Sequence, residues 1–373
     1  KSRVRGLPEF GGELPVATLS EEIETPGDGQ IRALVTSAGN PVLSTPNGKR
    51  LDAALSGLDF MVSIDPWLNE TTRHAHIILP PKTGLEVPHY DLIFAALAVR
   101  NIAKFDDPLL PGHPDGKLDA EIFTALTKRL SGRQKLGLAP LLQRAQRTLT
   151  ATQQLDVALR FGPRGVWRGR LLREDGLSVA ALRDAPHGVD LGPLQPQLPE
   201  RLRTADRRIN LVPDVLVGDL PRLAASVVVR PETPKSWDLR LIGRRGLADN
   251  NSWLHNAPSA VKGRNRCTLF MHPDDAAHRG LSDGEDVTLR SHIGEVVAPL
   301  QINDAMMPGV VCLPHGYGHG RDGTRLHVAN AHAGVSVNDI TDPDRLDALS
   351  GNAAFSGQPV MVVSAFPDPQ AAL

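Results

Sequence analysis

The sequence predicts an α/β segment followed by a β segment. Over about residues 1–135, short apolar runs alternate with helical patterns, which is typical of a parallel sheet covered on both faces. Over about residues 236–373, six short strands are separated by Gly, Asn, Asp and Pro turns, and this spacing favours a closed barrel. A chain of 373 residues is too long for one ordinary core. We therefore expect three units, at 1–135, 136–235 and 236–373.

Three apolar runs predict the strands of the first segment: Ile31–Thr36, Phe60–Ile64 and Ala75–Leu79. Apolar side chains at helical spacing predict a helix between the first two, at Leu51, Ala54, Leu55 and Leu58. Glu121–Leu130 predicts a further amphipathic helix. In parallel sheets, ligands bind beyond the carboxyl ends of the strands. The turn Gly39-Asn40-Pro41 and the carboxylate of Asp65 lie at such ends.

The middle segment has a weaker pattern. Leu141–Leu159 is compatible with a helix, and a second helix is predicted near Val215–Ala225. Between them the chain is crowded with Gly, Pro and Arg, which is typical of a connector that runs over a surface. We expect the arginines here to be solvated or paired, with a specific anion site as the less favoured alternative.

Six strands are predicted for the barrel: Leu239–Ile242, Thr268–Met271, Asp286–Arg290, Glu295–Leu300, Val310–Leu313 and Val360–Val363. His292-Ile293-Gly294 indicates a hairpin between the third and fourth of these strands. One short helix is expected at Asp274–Arg279.

Composition excludes several classes of function. The 41 basic and 42 acidic side chains give a net charge of -1, so no global field favours nucleic acid, and any anion site must be local. Aromatic residues make up 4% of the chain, which argues against stacking platforms for single-stranded nucleic acid. No apolar run approaches the roughly 20 residues of a membrane span, and the first ten residues do not resemble a secretory signal. We therefore expect a cytoplasmic location without a membrane span.

Several catalytic and metal-binding patterns are missing from the sequence. Cys267 and Cys312 lie far apart and cannot by themselves complete a zinc or iron–sulfur site. A GxSxG elbow, a GxGxxG turn and a GxxxxGK[ST] loop do not occur, which argues against conventional hydrolase, dinucleotide and P-loop sites.

A basic turn follows the first predicted barrel strand, at Gly243-Arg244-Arg245-Gly246. An Arg pair can hold phosphates, and flanking glycines allow close backbone approach. Neutral donors follow at Asn250, Asn251 and Ser252. The alternative is a solvated basic turn.

A histidine-rich loop occurs at Pro314-His315-Gly316-Tyr317-Gly318-His319-Gly320. Its interleaved glycines make a helix improbable, so the spacing of His315 and His319 does not indicate a metal pair. The loop either contacts a flat cofactor or is a plain mobile loop. Asn338-Asp339 is compatible with an ordinary Asx turn or a helix cap.

The order of these motifs resembles the molybdopterin oxidoreductases related to formate dehydrogenase, nitrate reductase and dimethyl sulfoxide reductase. The resemblance rests on Ala38-Gly39-Asn40-Pro41-Val42, Ile64-Asp65-Pro66-Trp67-Leu68-Asn69-Glu70-Thr71, Ala75-His76-Ile77-Ile78-Leu79-Pro80, Leu241-Ile242-Gly243-Arg244, His272-Pro273-Asp274-Asp275-Ala276, Gly280–Val287, Pro308–Val311 and Val337–Thr341. It covers nearly the whole chain outside the connector. It implies part of a Rossmann-like domain followed by a double-psi-type β-barrel.

The resemblance also implies the cofactor, bis-molybdopterin guanine dinucleotide with molybdenum or tungsten, and two-electron redox chemistry with a formate- or nitrate-type substrate. The cofactor-binding residues that it implies, together with those of the basic turn, are Gly39, Asn40, Pro41, Ser44, Asp65, Asp119, Gly243, Arg244, Arg245, Asn250, Asn251, Ser252, His315, Gly316 and Asn338. Arg244 in particular is expected to hold a pyrophosphate.

Two departures from the family pattern affect this interpretation. Ala75-His76 stands where the family has Ala-Asp, and we expect His76 to pair with Glu70 or Glu86. The family's metal ligand and its iron–sulfur cysteines belong to an N-terminal half that this sequence does not match. We therefore expect a fragment, a split-gene subunit or a degenerate relative that is inactive alone and joins an N-terminal half or a partner subunit carrying it. The alternative is a non-catalytic pterin-binding or structural subunit of an electron-transfer complex.

Overall fold

The computed structural model describes residues 1–130, 149–168, 171–172, 176–228, 237–247, 249, 251–263 and 265–366. Packing groups the chain into two compact units. The first unit contains residues 1–78 and 211–373, and the second contains residues 79–210. The boundaries of these two units differ from those of the three predicted units, 1–135, 136–235 and 236–373. The three-unit division stays a prediction about functional domains.

The α/β part of the first unit is residues 1–78. Its parallel sheet has the order β1–β2–β3, with β1 at Ala33–Ser37, β2 at Phe60–Ile64 and β3 at Ile77–Ile78. Its helices are α1 (Leu19–Glu24), α2 (Pro41–Ser44), α3 (Gly48–Leu55) and two 3-10 helices (Val16–Thr18 and Thr72–His74). The parallel sheet with helices is confirmed. The third strand is shorter than predicted because a 3-10 turn, closed by Ala75 N–H donating to Thr72 O (3.0 Å), precedes it.

Helix α3 packs the core of this part. Asn47 begins the helix, and its side-chain oxygen accepts a hydrogen bond from Arg50 N (3.2 Å), which satisfies one free donor of the first turn. Leu51 and Leu55 are buried together with Met61 of β2. The other face of the sheet is more open, since Val35 and Ile77 are 56% and 46% exposed.

The second unit has a small core of its own. Its strand pairs are β4 (His89–Tyr90) with β6 (Phe105–Asp106), β5 (Arg100–Ala103) with β9 (Val189–Pro193), and β7 (Trp167–Arg168) with β8 (Leu171–Leu172). Its helices are α4 (Asp119–Leu130), α5 (Ala151–Phe161), α6 (Val179–Arg183) and a 3-10 helix (Phe94–Leu97). The predicted helix at 121–130 is confirmed. Of the predicted helix at 141–159, residues 141–148 lie outside the described residues, and the rest overlaps α5.

The barrel part of the first unit closes with the order β10–β14–β11–β13–β12–β15. Its strands are β10 (Leu239–Arg244), β11 (Leu269–Met271), β12 (Asp286–Arg290), β13 (Glu295–Ile302), β14 (Val310–Pro314) and β15 (Gln358–Ser364). All six predicted strands are found, each within two residues of its predicted bounds. The closed barrel and the antiparallel β12–β13 hairpin are confirmed.

Four helices and two 3-10 helices accompany the barrel: α7 (Asp214–Val217), α8 (Leu220–Val228), α9 (Pro273–His278), α10 (His327–Ala331), Trp253–Asn256 and Val337–Ile340. The single helix predicted near 215–225 is interrupted at Gly218. Alternate strand residues such as Leu239, Leu241 and Leu289 fill the barrel interior and are at most 1% exposed. Among the described helices, none combines the length and the apolar character that a membrane crossing requires.

Candidate functional site

A tight turn follows β1 at Gly39-Asn40-Pro41. Ala38 leaves the strand with φ of +53°, a left-handed conformation that is uncommon for a residue other than glycine. Pro41 then begins α2, where its missing N–H is tolerated. Asn40 O accepts hydrogen bonds from Leu43 N (3.0 Å) and Ser44 N (3.1 Å). The turn is therefore rigid at the carboxyl end of the parallel sheet.

The side chain of Asn40 is held by neighbours on the α/β part. Its oxygen accepts from Thr71 Oγ1 (2.7 Å), and its Nδ2 donates to Glu70 Oε2 (2.7 Å). Both ends of the amide are thus committed within the protein. The second N–H of the amide and the backbone of the turn remain available for contacts with a ligand.

Asp65 follows β2 and is 6% exposed. Its carboxylate accepts from Trp67 N (2.7 Å) and from Asn69 Nδ2 (3.2 Å). Burial raises the pKa of Asp65 in spite of these two hydrogen bonds. A carboxylate has further lone pairs, so Asp65 can also accept hydrogen bonds from N–H groups of a ligand.

These two turns face loops of the barrel across a cavity of about 280 Å³. Eight predicted residues line it: Gly39, Asn40, Ser44, Asp65, Asn251, Ser252, His315 and Gly316. Asn251, with φ of +60°, is the second non-glycine residue in a left-handed conformation at this cavity. Unusual backbone of this kind concentrates at functional sites.

Gly316 is required for the close approach of the two barrel loops. It has φ of +92°, and a Cβ there would lie 3.2 Å from the carbonyl carbon of Asn251. A larger residue would be strained and would also press on the loop that carries Asn251. The sequence prediction that this glycine-rich loop is not helical is confirmed, since residues 315–320 carry no helix.

A second cavity, of about 530 Å³, adjoins the first, because Ser44 and His315 line both. Four more predicted residues line it: Gly243, Arg244, Arg245 and Asn338. A Cβ on Gly243 would lie 2.4 Å from Cε1 of Phe355, so only glycine fits at this position without displacing that ring.

The two arginines of the basic turn have different partners. Arg244 donates from Nη1 to Cys312 O (2.7 Å) and from Nη2 to Thr268 O (2.7 Å) and Arg266 O (3.0 Å). Its guanidinium also lies 3.7 Å from the centre of the Phe270 ring. Most of its donors are therefore used by backbone carbonyls of the barrel, and the pyrophosphate contact of Arg244 stays a prediction.

Arg245 is exposed, and its Nη1 donates to Asn251 Oδ1 (2.9 Å). The remaining donors of this guanidinium are available for an anion. Burial and the charge of Arg245 lower the pKa of His315, which lies between the two cavities.

Three predicted residues do not line either cavity or cannot be placed. Pro41 starts α2 behind the turn. Asp119 is exposed at the beginning of α4, in the second unit, whereas both cavities are lined by the first unit. Asn250 lies outside the described residues. Asn338 lines the second cavity, but its Nδ2 donates to Leu43 O (2.7 Å) and ties the barrel to α2.

A buried polar chain beside the first cavity was not predicted from the sequence. Glu70 Oε1 lies 3.0 Å from His319 Nδ1, and His319 Nε2 lies 3.0 Å from His255 Nδ1. The expectation that His76 pairs with Glu70 or Glu86 is wrong, because His76 Nδ1 accepts from Met61 N (3.0 Å) and Glu86 accepts from Thr83. The motifs that carry Glu70 and His319 were recognised, but their pairing across 249 residues was not.

Other residues at the first cavity were also missed. Trp67 and Asn69 line it from the α/β part, and Trp253 and Asn256 line it from the barrel. Each lies close in sequence to a predicted residue, which is the signal that could have found them. In the part of the chain that the structure describes, no group of three or more His, Cys, Asp or Glu residues could hold a metal ion.

Comparison with known proteins finds a family match for the barrel and several relatives of the chain. Residues 239–359 match the Molydopterin dinucleotide binding domain. The chain is 26% identical over 344 residues to biotin sulfoxide reductase of Cereibacter sphaeroides, covering 81% of this chain and 42% of that protein. It is 30% identical over 310 residues to the NADPH-Fe(3+) oxidoreductase subunit alpha of Geobacter sulfurreducens, covering 82% of this chain and 30% of that protein.

The fold is similar to that of acetylene hydratase from Pelobacter acetylenicus. The TM-score is 0.58 at 17% identity, and the match covers 93% of this chain and 46% of that one. The chain spans less than half the length of these relatives. The domain match supports the predicted cofactor class, bis-molybdopterin guanine dinucleotide with molybdenum. In its domain match and in its relatives, the chain is similar to the molybdopterin oxidoreductase family.

Proposed function

We propose that the chain is the C-terminal, cofactor-binding half of a molybdenum-dependent oxidoreductase and holds the nucleotide end of one molybdopterin guanine dinucleotide. The observation that carries this proposal is the pair of adjoining cavities, which the α/β turns and the barrel loops line together. Cavities of a few hundred Å³ with a few convergent polar groups are typical of cofactor sites. The finer description of the two parts, Rossmann-like and double-psi-type, belongs to the same proposal.

The buried carboxylate of Asp65 fits the base of the nucleotide. A guanine edge offers neighbouring N–H donors, and Asp65 is an acceptor at the wall of the first cavity. Hydrogen bonds to a charged acceptor contribute more than neutral ones, about 1.5–3 kcal/mol each. We therefore assign base recognition to Asp65.

The exposed cation of Arg245 fits the phosphates. The guanidinium lies at the second cavity with donors to spare, and Arg binds phosphate oxygens bidentately. We assign Arg244 to the barrel instead, where its hydrogen bonds join β10 to β14 and to the segment before β11.

The bound group would supply two-electron redox chemistry, and the protein would supply binding, orientation and electrostatics. The names of relatives such as biotin sulfoxide reductase and tetrathionate reductase favour a reductase of an oxidised sulfur or nitrogen substrate over formate oxidation. The metal ligand, any iron–sulfur cluster and the site of substrate reduction would belong to an N-terminal half or to a subunit that carries it. A cytoplasmic location stays a prediction.

Cofactor analysis of the full-length protein tests the assignments. Asp65→Asn and Arg245→Gln are each purified, and molybdenum per polypeptide and GMP released by acid are measured. Loss of one charge-assisted hydrogen bond weakens binding about tenfold or more. We therefore expect both contents to fall in both variants.

Matched controls are Asp59→Asn and Arg290→Gln, since each parent residue lies on an exposed strand end in a surface ion pair. We expect normal molybdenum and GMP contents in these two controls. Normal molybdenum and GMP in both site variants would contradict the proposal. GMP without molybdenum in the wild type would favour the alternative, a non-catalytic pterin-binding subunit.

A further inference from the structure

Three ionisable side chains form a continuous buried chain next to the first cavity, which we call the Glu70 relay: Glu70, His319 and His255. The side chains of Glu70 and His319 are both 0% exposed, and His255 is 1% exposed. Each neighbouring pair lies 3.0 Å apart, which is hydrogen-bonding distance. The relay crosses from the α/β part to the barrel.

One end of the relay reaches the wall of the cavity. Glu70 Oε2 accepts from Nδ2 of Asn40, and Asn40 lines the first cavity. The other end is His255, whose ring stacks on Tyr317 with 4.1 Å between ring centres. The relay thus connects the turn that contains Asn40 with the interior of the barrel loops.

The geometry permits two arrangements of protons. Glu70 accepts from Nδ1–H of His319 in both of them. When His319 is neutral, its Nε2 accepts from Nδ1–H of His255, and Nε2 of His255 is then a bare acceptor. When His319 carries both ring protons, its Nε2–H donates to His255 Nδ1, and the proton of His255 is on Nε2.

The groups around Nε2 of His255 bear on which of the two proton arrangements is favoured. Its Nε2 is buried without a hydrogen-bond partner among the described residues and lies 3.7 Å from Asp249 Oδ1. Asp249 also accepts from Tyr317 Oη (3.0 Å) and Arg266 Nη1 (3.3 Å). A bare Nε2 would face this carboxylate as a second acceptor, whereas Nε2–H would point a donor at it. Asp249 and Arg266, of opposite charge, are the charged groups that face this end, and Glu70 faces the other.

We propose that the Glu70 relay stores one exchangeable proton and positions the Asn40 turn at the cavity. A proton from solvent binds Nε2 of His255, the proton on Nδ1 of His255 moves to Nε2 of His319, and the positive charge comes to rest beside Glu70. His255 keeps one ring proton throughout, and His319 gains one. The resulting ion pair between His319 and Glu70 strengthens the contact between the barrel and Glu70. Glu70 in turn accepts the hydrogen bond that positions Asn40.

The use of the stored proton rests on the proposed function. Two-electron reduction of an oxidised sulfur or nitrogen substrate takes up protons, and a proton held beside the cofactor cavity offsets the charge that the electrons bring. Proton storage itself does not depend on that function, so the two can fail separately.

Histidine NMR on the full-length protein with ¹⁵N-labelled histidine tests the relay. The ¹⁵N shifts report which ring nitrogen carries a proton, and the variants His255→Gln and His319→Gln identify which signals belong to these two residues. We expect the ring nitrogens of His255 and His319 to shift together with one midpoint. Glu70→Gln removes the anion but keeps the shape, so it should lower that midpoint by about one pH unit or more.

The matched control is Asp342→Asn, which neutralises the carboxylate 3.1 Å from the half-exposed His292. This variant should move the signal of His292 and leave the relay unchanged. Independent midpoints for His255 and His319, or an unchanged midpoint in Glu70→Gln, would overturn the proposal. If Glu70→Gln does not fold, His255→Gln decides, because an unaltered His319 midpoint there would show that no proton is shared. The GMP content of the same samples reports separately on the proposed function.

Discussion

The barrel and the α/β part of the first unit are stabilised in different ways. In the barrel, six strands close on themselves, and one apolar core fills the interior. Residues such as Leu239, Leu269 and Leu289 are completely buried there. No strand edge of the ring is left unpaired, which is how closed barrels avoid exposed hydrogen-bonding groups.

The α/β part is a smaller and more open structure. Its sheet has three parallel strands, and the face that carries Val35 and Ile77 remains partly exposed. Parallel sheets are usually covered on both faces. Polar contacts join this part to the barrel part: Arg321 with Asp52, Asn338 with Leu43 O, and His319 with Glu70.

This difference explains how the cavity walls are aligned. The apolar core determines whether the barrel exists, while directional hydrogen bonds determine where the Asn40 turn and Asp65 lie relative to the barrel loops. Apolar burial is non-directional, whereas hydrogen bonds fix geometry. We therefore expect core substitutions to act on stability and substitutions of the polar contacts to act on alignment.

The largest effect is expected from a cavity in the barrel core. Leu289→Ala removes a side chain that is 0% exposed, and such substitutions reduce the free energy of unfolding by about 3–5 kcal/mol. Leu55→Ala, in the core of the α/β part, should reduce it by about 2–4 kcal/mol, because the more open part can relax. Urea unfolding monitored by circular dichroism measures both.

Val297→Ala is the control for this pair, since Val297 lies on β13 and is 47% exposed. A reduction below about 1 kcal/mol is expected there. If Leu55→Ala destabilised the protein more than Leu289→Ala, the barrel would not be the more stable of the two regions.

The sequence predicts the barrel well for the same physical reason. Alternating burial in β12 and β13 gives a period of two, and Gly and Asp residues mark the turns, so local residues determine each strand. Phe60–Ile64 was predicted with the same bounds, because a buried parallel strand is a continuous apolar run. The strand around Ile77 was overestimated, since the apolar run does not reveal that a 3-10 turn ends at His74.

The site was predicted less completely, because its contacts join distant residues. The turns at Asn40, Asp65 and Asn251 are local features, and sequence analysis recognised them. The role of Arg244 depends on carbonyls 22 to 68 residues away. The Glu70–His319 pair spans 249 residues, and no local pattern identifies such a partner.

A smaller effect is expected from Arg321, which pairs with Asp52 of the α/β part and with Asp339 of its own part. Arg321→Gln removes hydrogen bonds to Asp52 Oδ2 (2.9 Å) and Asp339 Oδ1 (2.9 Å). Asp52 keeps Arg73 and His74, but Asp339 loses its hydrogen-bonded cation, and burial already raises the pKa of Asp339. Leaving a buried charge unpaired costs about 3–5 kcal/mol, and partial exposure of Arg321 reduces this to about 2–3 kcal/mol.

Hydrogen exchange locates this effect. Amides of α3 should exchange faster in Arg321→Gln, while those of β11 and β13 should keep their protection. Arg290→Gln, which breaks an exposed pair with Glu295, should change the free energy of unfolding by less than about 1 kcal/mol. Faster exchange throughout the barrel would mean that the ion pairs support both regions rather than their alignment.

The smallest effect is expected from acid, which should reduce the free energy of unfolding through His255 and Glu70. Burial and the neighbouring His319 lower the pKa of His255 from 6.5 to about 4. Between these two values the folded protein binds fewer protons than the unfolded chain, so stability rises with pH and is lost as the pH falls from 6.5 to 4. The contribution of His255 is about 2 kcal/mol after allowance for solvent screening. Glu70, whose pKa is lowered by the hydrogen bond from His319 against the effect of burial, adds a loss of the same sign below pH 4.5.

His255→Gln removes the ring whose pKa is lowered by burial, so the free energy of unfolding of this variant should depend less on pH between 6.5 and 4 than that of the wild type. Thermal unfolding at half-unit pH intervals measures this dependence, and His292→Gln is the control because His292 is about half exposed. The expected acid loss concerns the junction between the α/β part and the barrel, since Glu70 and His319 are hydrogen-bonded across it. If His255→Gln kept the full pH dependence of the wild type, the acid sensitivity would arise from groups other than His255.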